Sequence, residues 1–179
     1  MELRQGSEAI NNRPRHLWLL LALMVVASLA VRVAAWAYWQ TGTIESEGAE
    51  YARIAENLRN GIGYVGLVTP GSELLFNPLF PLLIAGTSFI THNYELAGRL
   101  VALIMGALLP LPVFGIGSRL FNRRVGVIAA LLTMLHPLLV YLSFTVLSEG
   151  PYTALLLLAI YLVIRALDIS STRLWVLVG

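Results

Sequence analysis

The chain alternates between long apolar runs and short polar connections, and the lengths of the runs point to its class. From about residue 17 to 39 nearly every side chain is apolar, and a polar stretch follows over residues 40–77. Further apolar runs cover about residues 96–117, 125–146 and 151–167, divided by the turns SRLFNRR and LSEG. Each approaches the roughly 20 residues that carry a helix across about 30 Å of hydrocarbon. They predict four full transmembrane helices, the second kinked at Pro110 and Pro112 and the third holding Pro137 in its interior. After a polar turn at 168–173 the chain ends on LWVLVG. That run predicts the start of a fifth span, because two turns of helix cannot satisfy a backbone across the bilayer. A chain stopping there is expected to be the front portion of a longer protein or a truncated gene product, inactive by itself.

Inside the first long connection the rhythm changes. Tyr51, Ile54, Ala55 and Leu58 recur at i, i+3, i+4 and i+7, which predicts a short amphipathic helix suited to a membrane surface. Glu50, Arg53, Glu56 and Asn57 fall off that stripe, with Glu50 expected as a surface partner of Arg53. Ser46 or Glu47 is expected to cap the helix, and Asn60-Gly61 to end it. Turns and short extended pieces follow over residues 61–77. PLFPLLIAGTSFI, residues 78–90, is a helix too short to span, which dips in or lies flat. The predicted fold class is therefore an all-α integral membrane protein: a tail over residues 1–16, four spans and the start of a fifth, with the amphipathic helix and the half-membrane helix both in a first outer loop over residues 40–95.

Composition sharpens this. The chain is 58% hydrophobic and 12% charged, against about 25% charged in soluble domains. Cysteine is absent, which excludes disulfides and thiolate metal sites. Nucleic acid is excluded as a partner, since the arginines are scattered at segment ends and there is no lysine. The first apolar run continues through VRVAAWAYW, too long for the roughly 7–15-residue core of a signal peptide. Arg4, Arg13 and Arg15, then Arg119, Arg123 and Arg124, then Arg165 and Arg173 mark three regions as cytoplasmic by the positive-inside rule. Seven of the ten acids, Glu45, Glu47, Glu50, Glu56, Glu73, Glu95 and Glu149, then lie outside.

The stretch IESEGAEY places three glutamates within six residues at a membrane–water boundary. Such a cluster can bind a divalent metal, supply a general base or stay merely solvated. Arg99, at the outer start of the second span, is the cation placed to grip a phosphate; it can equally pair with Glu95. Glu149 can cap the fourth span or belong to a site. Arg32, about two turns inside the first span, is expected to snorkel outward, and His136 to bond a carbonyl freed by Pro137. An outer acid cluster beside an arginine suits sugar transfer from a lipid phosphate and, nearly as well, ion binding in a transporter.

The order of motifs resembles a known family. An acidic patch with an acid four residues before Tyr51 precedes Asn60-Gly61-Ile62-Gly63-Tyr64, then PLFPLL, Ala97-Gly98-Arg99-Leu100, RLFNRR and Leu147-Ser148-Glu149. Over residues 15–179 this looks like the amino-terminal module of the GT-C glycosyltransferases, nearest the protein O-mannosyltransferases and the aminoarabinose transferase of lipid A. The resemblance implies an inverting transferase in the bacterial inner membrane, with its amino terminus cytoplasmic and its active loop outside. It implies a polyprenyl-phosphate sugar donor and a lipid, glycan or protein acceptor. Glu47 falls on the position of the essential carboxylate, with Glu45 as second choice; the family usually has aspartate there. Arg99 matches the phosphate-contacting arginine, with Tyr51 and Tyr64 as further substrate-binding candidates. Glu149 matches an acid that in some relatives helps bind a divalent metal. Where the family usually opens the short helix with Pro-Pro, this chain has Asn77-Pro78. The alternatives are a transporter fragment and an inactive truncated homologue.

Overall fold

The computed structural model describes residues 15–39, 44–68 and 75–169, and among these there are helices and no strand. The helices are α1 (Arg15–Tyr38), α2 (Ser46–Arg59), α3 (Leu79–Thr91), α4 (Tyr94–Leu108), α5 (Pro110–Leu120), α6 (Arg123–Leu135), α7 (Pro137–Tyr141) and α8 (Glu149–Ile169). The tail and the expected fifth span lie outside the described residues.

Among the described residues three helical stretches are long and apolar enough to cross a membrane: Leu17–Tyr38, Tyr94–Leu120 and Glu149–Leu167. The first exposes Trp18, Leu19, Leu23 and Val26, as a helix does when lipid is its solvent. The second is α4 and α5 joined at Leu109, whose N–H reaches both Met105 O at 3.1 Å and Gly106 O at 3.2 Å. Pro110 and Pro112 bring no N–H to the helical ladder, and a turn at Leu109 divides α4 from α5 there.

The expected third span differs from its prediction. Instead of one helix over residues 125–146, α6 stops at Leu135, His136 is extended (φ −65°, ψ 119°), α7 runs only to Tyr141, and residues 142–148 are not regular helix. The proline ring disfavours helical backbone at the residue before it, which breaks the helix at His136. The His136 side chain is exposed and, among the described residues, makes no hydrogen bond to a freed carbonyl. Its backbone oxygen instead accepts from Val140 N at 3.0 Å.

Caps set the other boundaries. Asn93 Oδ1 accepts from Leu96 N at 2.8 Å to open α4, and Asn122 Oδ1 accepts from Arg124 N and Val125 N, both at 3.0 Å, to open α6. Each takes up N–H groups that have no partner within the helix. The N-cap of α2 is Glu45, not Ser46 or Glu47, and it makes no side-chain cap bond. Two apolar clusters hold the helices together. Met24, Phe114 and Ala130 join α1, α5 and α6. Tyr51, Ala55, Phe80, Ile84, Ala97, Val101 and Val146 join α2, α3, α4 and the segment before α8. Ile54 and Ile84 are both fully buried, and each such side chain contributes about 1.5–3 kcal/mol.

Candidate active site at the acidic end

The second cluster brings the acidic loop against the start of α8. Tyr51 packs edge-on between Phe76 and Phe80, with ring centroids 5.0 and 5.1 Å away. Its hydroxyl donates to Ser148 Oγ at 2.9 Å across 97 residues of sequence. Burial pushes the Tyr51 phenol pKa above its ordinary value; the Ser148 bond pulls it down, and the negative charges of Glu47 and Glu149 add to the rise. Both carboxylates therefore act on one hydroxyl, although 102 residues part them in sequence (149 − 47). Glu47 lies one turn before Tyr51 on the face of the apolar stripe, a place from which it is expected to point inward, but both carboxylates are exposed, so Glu47 stands at the rim. Beside them Asn77, Phe80, Leu83, Ser148, Glu149 and Tyr152 help line a groove of about 220 Å³. Two other grooves, of about 390 and 550 Å³, are lined almost wholly by apolar residues of the long helices and carry no carboxylate or arginine.

Glu50 departs from its prediction. It is 2% exposed and does not pair with Arg53, which bonds Glu56 at 3.0 Å. Its carboxylate accepts Leu67 N–H with both oxygens at 2.8 Å and Val68 N–H at 3.2 Å. Asn57, two turns on, donates to Val65 O at 2.7 Å. Together they fold the loop after α2 back onto its polar side. The i, i+7 spacing of Glu50 and Asn57 is the signal in the sequence, but off the apolar stripe it reads as a solvated face. Tyr64, in the same loop, donates to Phe76 O at 2.8 Å and ties the loop to the residues that flank Tyr51.

Arg99 is 5% exposed. Its Nε and Nη2 donate to Glu95 Oε1 at 3.0 and 2.7 Å, and its Nη1 donates to Phe144 O at 2.8 Å. These bonds use three of the guanidinium's five N–H groups. Glu45 lies nearby: Tyr141 reaches its Oε1 at 3.5 Å, while Oε2 is buried without a partner. Arg32 overturns the snorkelling expectation. It is fully buried and bonded to Ser28 and Ser143. Among the described residues no three acidic or histidine side chains converge as metal ligands.

Residues 76–179, more than half of the chain, match the family model described as dolichyl-phosphate-mannose-protein mannosyltransferase. The chain belongs to this mannosyltransferase family. No curated protein and no solved structure gives a significant match. The matched region begins at Phe76, so it includes Arg99, Ser148 and Glu149, whereas Glu45, Glu47, Tyr51 and Tyr64 precede it. The Tyr51–Ser148 bond thus joins the loop ahead of the match to the matched mannosyltransferase segment. Membership points to a membrane glycosyltransferase, which agrees with the three span-length apolar helices among the described residues.

Proposed function

We propose that the chain is the amino-terminal part of a glycosyltransferase that moves a sugar from a polyprenyl-phosphate donor to an acceptor outside the cytoplasm. The observation that carries this reading is the meeting of Glu47, Tyr51, Ser148 and Glu149 at one end of the helices, in a chain of the mannosyltransferase family. The arginine-rich α5–α6 turn and the amino terminus face the cytoplasm in this orientation, and the acids face out. Loop helix α2 then lies at the outer membrane surface.

In the proposed reaction Glu47, an exposed carboxylate at the rim, removes the proton of an acceptor hydroxyl at about 3 Å. The hydroxyl oxygen attacks the anomeric carbon with inversion. The bond from that carbon to the phosphate oxygen breaks, and polyprenyl phosphate leaves with the bonding pair. Arg99 offers its two uncommitted N–H groups to the phosphate, and Glu95 and Phe144 O hold its plane in place. The phenol of Tyr51, protonated at neutral pH like any tyrosine, acts within the site as the donor to Ser148 Oγ. No step is assigned to a divalent ion; turnover with and without a chelator checks that choice. The transport alternative lacks its central feature, because the buried charged group inside α1 is an arginine held by serines, not a carboxylate along a passage.

The deciding measurement uses full-length protein in nanodiscs with labelled polyprenyl-phosphate sugar. Glu47→Gln is expected to lower turnover at least about 100-fold, the contribution typical of a positioned base, and Glu45→Gln to leave most of it. Wild-type turnover in Glu47→Gln would remove Glu47 from the mechanism. Transfer from a nucleotide sugar but not from the lipid donor would overturn the donor class.

A further inference from the structure

Arg32 sits inside the apolar α1, 0% exposed. Its Nε donates to Ser143 Oγ at 2.9 Å, and its Nη1 donates to Ser28 Oγ at 2.6 Å and Ser28 O at 3.1 Å. Its Nη2 is buried with no partner. Among the described residues no carboxylate pairs with it; the ion pairs are Arg53–Glu56 and Arg99–Glu95. A buried cation without a counter-charge costs several kcal/mol, and an apolar side chain of similar length would fill the space at less cost. Its contribution must therefore lie in what it holds.

It holds Ser143. The Ser143 hydroxyl donates to Leu139 O at 2.5 Å, which turns its lone pairs toward Arg32 Nε. Gly106 leaves room for the pair, since a Cβ there would stand 3.0 Å from Arg32 Nε. One residue further on, Phe144 O accepts from Arg99. Neighbouring residues of one non-helical segment are thus gripped by arginines from two different helices, α1 and α4. Local backbone bonds hold only the start of this segment, where the N–H groups of Leu142, Ser143 and Phe144 donate to Leu138, Val140 and Tyr141 O; among the described residues the N–H groups of 145–148 make no such bond, so the path of that part depends on what grips the segment from outside. Five residues beyond Ser143 the segment delivers Ser148 to Tyr51, and then Glu149.

We propose that Arg32 is a positioning residue for the acidic site: through Ser143 it fixes residues 142–148 and so sets Ser148 and Glu149 against Tyr51 and Glu47. The functional half of this proposal rests on the transferase reading; the geometric half does not.

The test uses full-length protein in nanodiscs carrying Arg32→Met or Ser143→Ala, each alone and combined with Ser148→Ala. Turnover supplies kcat and the donor KM. A second readout is cross-linking of a Glu47→Cys, Glu149→Cys pair by a short bis-thiol reagent, free of native thiols within these 179 residues. Both single variants are expected to lower kcat, by up to about 100-fold for a displacement near 1 Å, with donor KM unchanged. Both should slow the cross-link. Combined with Ser148→Ala, Arg32→Met should add little further loss, because both act through one contact. Wild-type kcat in Arg32→Met, a raised KM with kcat intact, or losses that multiply with Ser148→Ala would each overturn the proposal. Should Arg32→Met fail to fold, Ser143→Ala decides, and wild-type kcat with a wild-type cross-linking rate would sink it. If the full-length protein transfers no sugar, the transferase reading falls. The cross-link then still decides positioning, slowed in support and unchanged in refutation.

Discussion

Replacing Glu50 with glutamine probes how α2 holds the loop that follows it. The carboxylate is nearly inaccessible and takes the Leu67 N–H with both oxygens at 2.8 Å and the Val68 N–H at 3.2 Å. Hydrogen bonds to a charged group contribute about 1.5–3 kcal/mol each. Glutamine keeps one carbonyl oxygen but turns an NH₂ toward Leu67 N–H, donor against donor. Leu67 and Val68 are 54% and 83% exposed, so water reaches their amides once they are released. That sets the loss at the lower end, about 1.5 kcal/mol, equivalent to roughly tenfold more frequent opening of the loop. Hydrogen–deuterium exchange of the nanodisc-held protein reads this directly. Amides of residues 65–68 should exchange about tenfold faster in Glu50→Gln, while those of α4 keep their wild-type rates. Unchanged exchange at Leu67 and Val68 would refute the account, as it would show that the carboxylate does not hold them.

Other outcomes follow from the same packing. Tyr51→Phe keeps both edge-on ring contacts and loses only the bond to Ser148; thermal unfolding should report a loss of about 0.5–1.5 kcal/mol, and no change would mean the bond is not formed in the membrane. The Tyr51 phenol also predicts a pH dependence. Its folded pKa lies above the ordinary tyrosine value of 10.0, so its contribution is full below pH 10 and is lost as pH rises through the folded value. Tyr51→Phe should flatten that alkaline limb of a stability–pH curve, and an identical limb in the variant would assign it elsewhere. Gly98→Ala would place a methyl 2.6 Å from Val146 Cγ1 and 3.3 Å from Ile84 Cδ1. Such overpacking costs about 1–3 kcal/mol, read as a lowered Tm; a raised Tm would show a looser contact.

The long helices and the stripe of α2 were legible in the sequence because hydrophobic period and run length are local properties, set by the solvent each face meets. Tyr51, Ile54 and Ala55 are buried as their spacing requires, and the turn between α4 and α5 falls at Leu109, just before Pro110 with its missing N–H. Pro137 was also visible, but its consequence was not. It ends α6 at an extended His136 and opens the five-residue α7, where run length alone suggests a single span. Ionisable side chains were read least well, because their partners lie far along the chain. Arg32 finds Ser143 111 residues away, and Glu50 finds Leu67 17 residues away. From composition alone, an arginine in an apolar run snorkels and a glutamate beside an arginine pairs with it. A buried charge is instead placed by whichever dipoles surround it, and only the tertiary packing brings those together. The same holds for the candidate site. Each glutamate is visible in the sequence, but that the charges of Glu47 and Glu149 both bear on Tyr51, whose hydroxyl bonds Ser148, is decided by the fold that brings α2 against the start of α8.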